Sequence, residues 1–344
     1  MTLRTLACPK CGAPLSPDAK LLVVLCPFCG ATVTDDGPIL HAKDYLRALA
    51  RLDTELAIPD EEKATLGGLP YRVLGHLASG ESSEVFLAER ARRVTERVVL
   101  KVLRAPSDRD LLEREHRILE ALQDSSAQGA AHFTERLPQP VAHGTLRFRD
   151  AERPATALRY ASGFVHTLED VRSAYPDGVD PRHAVWLWRR MLEVLGFVHR
   201  AGVAHAAIVP RHLLVHARDH GVMLVGWSAA TELRTRERLP VVVSDSQAFY
   251  PEDLRGDSIP TTATDLAMTA RCVAYVLGGD PITGTVPSSV PPGLAALVRS
   301  HADPFAPGPR TDDAWALDHE VSRVAREAFG PPKYVHLAMP GWSS

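Results

Sequence analysis

The sequence predicts an α+β protein in which a small cysteine-rich module precedes a larger domain whose strands come first and whose helices follow. Three observations predict it. Two C-x-x-C-G units stand near the start, Cys8-Pro-Lys-Cys11-Gly12 and Cys26-Pro-Phe-Cys29-Gly30, with fourteen residues between Cys11 and Cys26. A hairpin-like stretch over 71–88 and an apolar strand over 97–103 follow. Beyond them, apolar residues recur at helical steps over 110–123 and 181–201.

Composition sets the bounds. At 344 residues the chain exceeds one ordinary domain. Its 45% hydrophobic and 24% charged residues suit a soluble globular protein. A net charge of -3 gives no electrostatic case for nucleic acid or membrane as a partner. The apolar run Leu21 to Cys26 is far too short to span a bilayer, and the first residues lack the charged-then-apolar layout of a signal peptide. Four of the five cysteines fall in the two pairs and Cys272 stands alone, which favours a reducing compartment, hence a cytoplasmic location, and metal binding over disulfides.

Residues 1–36 form the first module. Two thiolates close in sequence make each pair a zinc knuckle, and Gly12 and Gly30 let the backbone turn tightly around sulfur. Val23, Val24 and Leu25 supply a short strand before the second knuckle. Cys8, Cys11, Cys26 and Cys29 together match one tetrahedral Zn²⁺ with no open position, a structural rather than catalytic site. The alternatives are a redox C-x-x-C, which needs no second copy, and four free thiols. The module resembles a zinc ribbon. Its charges cancel, so a structural or protein-contacting role is expected of it. Residues 37–70 read as a connector with a helix over 41–57, where Tyr45, Leu46, Leu49, Leu52 and Leu56 repeat at mostly three- and four-residue steps before Pro59 and Leu66-Gly67-Gly68-Leu69-Pro70 break it.

In the strand 97–103, Lys101 shares a face with Val99 and Leu103. A lysine on an apolar face needs a partner if buried. The next helix offers Glu115, on a stripe with Leu111, Ile118 and Leu122. The alternative is two snorkelling surface side chains. Residues 150–154 read as a turn and 156–160 as a strand. Residues 181–201 form a helix with Val185, Trp188, Leu192 and Leu195 on one face and Gly202 as its stop. It leads into Val203 to Ser228, which holds His205-Ala206-Ala207, His212 and, fourteen residues past His212, Gly226-Trp227-Ser228.

Taken in order, these segments resemble a protein kinase. A kinase catalytic loop reads H-R-D-x-x-x-x-N and is followed by D-F-G after an apolar strand. In that frame Ala207 stands for the base, His212 for the Asn that holds one Mg²⁺, and Gly226 for the Asp that holds the other. The glycine-rich loop keeps Gly80, while Ala78 and Ser83 replace the other two glycines. Val85 stands where the family packs on adenine, and Lys101 with Glu115 matches the family ion pair. The resemblance implies architectural roles for His205, for Glu252 in Tyr250-Pro251-Glu252 paired with Arg310, and for Asp265, which holds the catalytic-loop backbone in the family but could equally cap its own helix. Cys272, in that helix, reads as core. The implied fold is two-lobed and protein kinase-like, with a small lobe over 71–162, a large lobe over 163–329, and a tail over 330–344 that is a strap, a partner peptide or disorder.

The resemblance implies a pseudokinase, a non-catalytic signalling or scaffold protein whose partners are proteins such as an active kinase or its substrates. Its cofactor is one structural Zn²⁺, with ATP bound weakly. Two alternatives stand beside it: a switch that binds ATP through Lys101 without metal, and an atypical active Ser/Thr kinase. For the last, His212 is a poor Mg²⁺ ligand, since Mg²⁺ prefers oxygen, and Glu81 or Asp245 would have to supply carboxylates.

Overall fold

A computed structural model of the chain describes residues 6–8, 10–11, 13–15, 23–26, 28–29, 32–34, 63–91, 93–252 and 258–339. Two small antiparallel hairpins come first. β1 (Leu6–Ala7) pairs with β2 (Pro14–Leu15), and β3 (Val23–Leu25) with β4 (Thr32–Thr34). Cys8 and Cys11 lie between the strands of the first hairpin, Cys26 and Cys29 between those of the second. The helix expected over 41–57 lies outside the described residues, as do Gly12 and Gly30.

Six strands then close a barrel in the order β10-β8-β7-β6-β5-β9. They are β5 (Lys63–Leu66), β6 (Leu69–Ser79), β7 (Ser83–Arg90), β8 (Arg93–Leu103), β9 (Pro140–Phe148) and β10 (Ala151–Arg159). Side chains alternate across each strand, and the inward set, including Leu66, Tyr71, Phe86, Leu100 and Phe148, fills the interior. The expected start of this lobe at Tyr71 is corrected: β5 pairs with both β6 and β9 and begins at Lys63. Four residues with only Ala64 and Leu66 inward do not stand out from a connector, yet they cover a sheet edge. The turn expected over 150–154 is also corrected. The chain turns at Arg149 and Asp150, with φ of 51° and 59°, and β10 runs on through Pro154. Pro154 pairs with β9 only, so its missing N–H leaves no β8 carbonyl unmatched.

Helix α1 (Arg109–Gln123) packs beside the barrel and buries Leu112, Glu115, Ile118, Leu119 and Leu122. Leu112, rather than the expected Leu111, is on the inward face with Glu115. A short α2 (Ala130–Phe133) follows before β9. The chain leaves the barrel at Arg159 and turns at Gly163, whose φ is 88° and where a Cβ would lie 2.1 Å from the His216 ring.

The second lobe is mainly helical. β11 (Phe164–Thr167) enters α3 (Leu168–Ala174) through a capping box between Thr167 and Asp170. The long α4 (Pro181–Arg200) starts at Asp180, whose carboxylate accepts from the Arg182 N–H. It is buried along most of its length, and Trp188 Nε1 donates to Thr269 Oγ1 at 3.0 Å. β12 (Val203–Ala204) pairs with β15 (Thr231–Glu232), and β13 (Leu213–His216) and β14 (Gly221–Leu224) extend β11. The helices α5 (Thr262–Val276), α6 (Pro292–Ala302) and α7 (Ala314–Phe329) complete the core. Cys272 is fully buried in α5, as expected of a core thiol. Among the described residues no helix is long and apolar enough to cross a membrane.

The described part of the tail is a strap. Leu337 and Met339 are buried, and Tyr175 Oη donates to the Ala338 carbonyl at 2.8 Å. Tyr334 N–H donates to the Cys11 carbonyl at 2.8 Å and its hydroxyl to the Arg218 carbonyl at 2.5 Å. Phe28 of the second knuckle meets the Trp186 ring of α4 edge-on at 5.0 Å and Tyr334 at 6.0 Å, with the Arg190 guanidinium 5.3 Å from its centroid. The cysteine module therefore sits on α4, with Tyr334 of the tail against Phe28 beside that contact.

Candidate functional site

The strands and α1 bring Lys101 and Glu115 together. Lys101 Nζ lies 2.5 Å from Glu115 Oε2, with the two side chains 14% and 3% exposed. A third group joins them: Ser228 Oγ donates to Glu115 Oε2 at 2.9 Å and accepts from Lys101 Nζ at 3.3 Å. Burial pushes the Glu115 carboxyl up. The Lys101 charge and the hydrogen bonds from Lys101 and Ser228 outweigh that, so it titrates below the ordinary carboxylate range. Sequence reasoning missed Ser228, because nothing in a three-residue turn says which side chain faces an ion pair 113 residues upstream. Val85 is paired with Lys101 in the β7–β8 ladder and shares its face. Gly80 marks the hairpin turn, where its N–H donates to the Ser83 carbonyl at 2.8 Å.

The loop below this cleft is held by Asp265, which is fully buried. Its two carboxylate oxygens accept from the His205 and Ala206 N–H groups, each at 2.8 Å, and Oδ2 also meets His199 Nε2 at 2.8 Å. Asp265 is thus not a helix cap; Thr261 caps α5, in a capping box with Thr264. The bonds from Asp265 hold Ala206 at φ 58°, an unfavourable conformation for a residue with a Cβ. His205 is buried with its ring 4.4 Å from that of Trp227, and burial lowers its pKa to about 4.

His212, Ala207 and Gly226 form one packed unit. His212 Nδ1 lies 2.9 Å from the Ala207 carbonyl, which requires the proton on Nδ1. Burial lowers the His212 pKa to about 4, so the ring is neutral near pH 7. Gly226 has φ 78°, and a Cβ built on it would fall 2.5 Å from His212 Cε1 and 2.6 Å from both ring nitrogens. The imidazole therefore fills the volume that any side chain at position 226 would need. Trp227 beside it is fully buried, its indole N–H donating to the Leu224 carbonyl at 2.8 Å.

One expected pair is corrected. Among the described residues Glu252 and Arg310 make no ion pair: Glu252 is exposed, and Arg310 donates to the carbonyls of Pro304 and Ala306. The tether expected of that pair comes from Arg271, buried in α5. It donates to the Ala302 carbonyl at 2.9 Å, to Ala248 at 2.9 Å and to Tyr250 at 2.7 Å. These carbonyls supply acceptors to a guanidinium inside the core.

The second centre is the cysteine cluster. All four Sγ atoms lie within 4.8 Å of one another. Cys8 Sγ is 3.6 Å from Cys29 Sγ and Cys11 Sγ 3.7 Å from Cys26 Sγ. Tetrahedral Zn²⁺ with Zn–S near 2.3 Å places sulfurs ~3.8 Å apart, so the cluster fits that ion. Burial pushes the Cys11 and Cys26 thiols up, whereas at Cys8 the effect of burial is outweighed by backbone N–H groups of Cys11 and Lys10 and its pKa falls to about 7. Four cysteines this close can hold a metal ion, and their geometry is compatible with zinc.

A barrel lobe with a Lys–Glu pair, a helical lobe with an Asp-held loop, and a cleft between them define a protein kinase-like protein carrying a four-cysteine module. Relatives agree. The serine/threonine-protein kinase PknB of Mycobacterium tuberculosis is 29% identical over 270 residues, 74% of this chain and 38% of that protein. PknB of Mycobacterium leprae is 28% identical over 253 residues, 70% and 37% of the two chains. The chain thus spans well under half the length of these curated relatives. Among solved structures, vaccinia related kinase 3 matches with a TM-score of 0.58 and 13% identity, covering 86% of this chain and 99% of that one. The BubR1 kinase domain matches with a TM-score of 0.57 and 12% identity, over 83% and 94%. These two bear on the fold alone. No protein-family model matches.

Proposed function

We propose that this chain is a pseudokinase: a catalytically inactive, protein kinase-like signalling or scaffold protein that acts in the cytoplasm by binding proteins such as an active kinase or its substrates, with one structural Zn²⁺ on Cys8, Cys11, Cys26 and Cys29. The observation that carries the reading is the His212–Gly226 packing. Phosphoryl transfer needs carboxylate and amide oxygens on the metal ions and a base on the hydroxyl. At the three matching positions stand a methyl group, a neutral imidazole and a glycine, and the imidazole takes up the room of the missing carboxylate. Loss by replacement is harder to reverse than loss by truncation, because restoring an Asp at 226 requires His212 to leave. The retained Lys101–Glu115 pair supports the runner-up, a nucleotide held without metal.

Radiolabel transfer from ATP tests the proposal, with Lys101→Ala as control. No Mg²⁺- or Mn²⁺-dependent labelling is expected; labelling that disappears in the control overturns it in favour of an atypical active kinase. A thermal-shift titration with ATP separates the runner-up, since a response that is the same with and without Mg²⁺ favours the metal-independent switch.

A further inference from the structure

A recess of about 440 Å³ lies outside the cleft, between the start of α5, the end of α6 and the loop that leads into α7. Pro251, Ala263, Ala267 and Pro304 give it apolar walls. Two nitrogen-bearing side chains line it with hydrogen-bonding capacity that the described residues leave unused. His301, 6% exposed, meets the Leu297 carbonyl through Nδ1 at 3.1 Å, which puts the proton on Nδ1. Its Nε2 is left as a buried acceptor without a partner. Burial lowers the pKa of this ring, so it stays neutral near pH 7.

Arg310 is held in place but not saturated. Its Nη2 donates to the carbonyls of Pro304 and Ala306, the second at 3.1 Å, and among the described residues it has no carboxylate partner. Nη1 and Nε keep their N–H groups for another acceptor. The first turn of α5, the positive end of that helix, lines the same space through Ala263 and Thr264. Asp312, on the exposed side, makes no bond among the described residues that would fix it, so its carboxylate is free to turn to water. Pro304 is followed by Phe305, which is 82% exposed. Aromatic side chains carry much of the contact energy where proteins meet, and this one stands open beside an apolar recess.

We propose that this recess is a docking site for an acidic segment of a partner protein. A Glu or Asp carboxylate of the segment accepts from Arg310, one of its backbone N–H groups donates to His301 Nε2, and a neighbouring apolar side chain packs on Phe305. A peptide brings these three features together in one short stretch: a charged acceptor, a neutral donor and an apolar flank. Because two carbonyls already hold the guanidinium, little further ordering is needed when the carboxylate arrives. The proposal rests on the reading that this chain acts by binding proteins. It does not depend on whether the cleft transfers phosphate, so the radiolabel assay and the experiment below fail separately.

The test uses the full-length, zinc-loaded chain labelled with nitrogen-15, and the capped dipeptide acetyl-Phe-Glu-amide as probe. Titration is expected to give saturable shifts of the Arg310 Nε–H signal and of the His301 Nε2 signal. The neutral probe acetyl-Phe-Gln-amide should bind about tenfold more weakly, because it replaces a charge-assisted hydrogen bond with a neutral one. That comparison is made on the unaltered chain, so it does not depend on how a variant folds. Arg310→Gln should bind the two probes alike, and Arg310→Lys should keep the preference for the acidic one. Phe305→Ala, at an exposed position, should weaken both. Equal binding of the two probes by the parent, a preference that survives Arg310→Gln, or no shift at Arg310 and His301 up to the solubility limit overturns the site. Sodium acetate bound as tightly as the acidic probe would mark a site for small carboxylates and overturn the docking of a protein segment.

Discussion

Gly226→Ala puts the packing of the cleft to a quantitative test. Two costs arise. The added Cβ must accept φ 78°, which disfavours an L-residue by about 1–2 kcal/mol. It also falls 2.5 Å from His212 Cε1, and the ring cannot yield freely because Nδ1 is held by the Ala207 carbonyl. Overpacking of this kind costs about 1–3 kcal/mol. The sum is roughly 2–5 kcal/mol, a fall in Tm on the order of 10 °C for a domain of this size. The informative assay is a double-mutant cycle with His212→Ala, by urea denaturation followed through tryptophan fluorescence. Removing the ring should recover the steric part and leave the backbone part, giving a coupling of roughly 1–3 kcal/mol between the two positions. If Gly226→Ala costs the same with and without the ring, the imidazole does not fill that space and the argument from replacement fails. In the same frame, Gly226→Asp alone should not yield phosphotransfer, and should fold less stably than Gly226→Asp with His212→Asn.

Metal analysis should return about one zinc per chain, and a chelator should both unfold the cysteine module and release Tyr334, seen as a red shift in Trp186 emission and faster proteolysis of the tail. Lys101→Ala strands the Glu115 carboxylate, which is nearly inaccessible, and should cost roughly 3–5 kcal/mol. Because the folded pKa of Glu115 is depressed, its contribution is complete above the ordinary carboxylate pKa and is lost as pH falls through the folded value; the acid limb of the parent's stability curve should therefore be shallower in Lys101→Ala. His205 acts in the same direction at higher pH: burial lowers its folded pKa from 6.5 to about 4, so the unfolded chain takes up the proton first and stability falls as pH drops through that window, by roughly 3 kcal/mol for this group. Urea midpoints measured from pH 7 to pH 4 check this, and a flat profile over that range would contradict it.

Several features were legible because they are written in short-range spacing. Two C-x-x-C-G units bring sulfurs together through tight local turns, and the cluster followed. Alternation put Lys101 on an apolar face of its strand with Val99 and Leu103, and helical periodicity put Glu115 on an apolar stripe, so a buried pair could be anticipated from the pattern together with the kinase resemblance. Asp265 was legible as a candidate but not as a decision, since an Asp early in a helix reads the same as a cap or as a loop anchor. The four-residue β5 was not legible, because too few side chains alternate there to form a pattern.

The sequence by itself determined the order of the segments, the four cysteines that cluster, the Lys–Glu pair and the identity of the groups at positions 207, 212 and 226. The tertiary structure alone decided what those groups do to one another. That His212 occupies the space above Gly226 depends on a rotamer and a left-handed backbone brought together by folding, as does the Ser228 hydroxyl closing on Glu115 from across the cleft. Arg271 rather than Arg310 ties down the segment around Tyr250, because several buried carbonyls converge on it. The cysteine module rests on Trp186 with Tyr334 packed beside Phe28, though these parts come from the two ends and the middle of the chain. Spacing rules act over a turn or a strand; contacts between groups more than a hundred residues apart are set by how whole elements pack, and no local pattern encodes them.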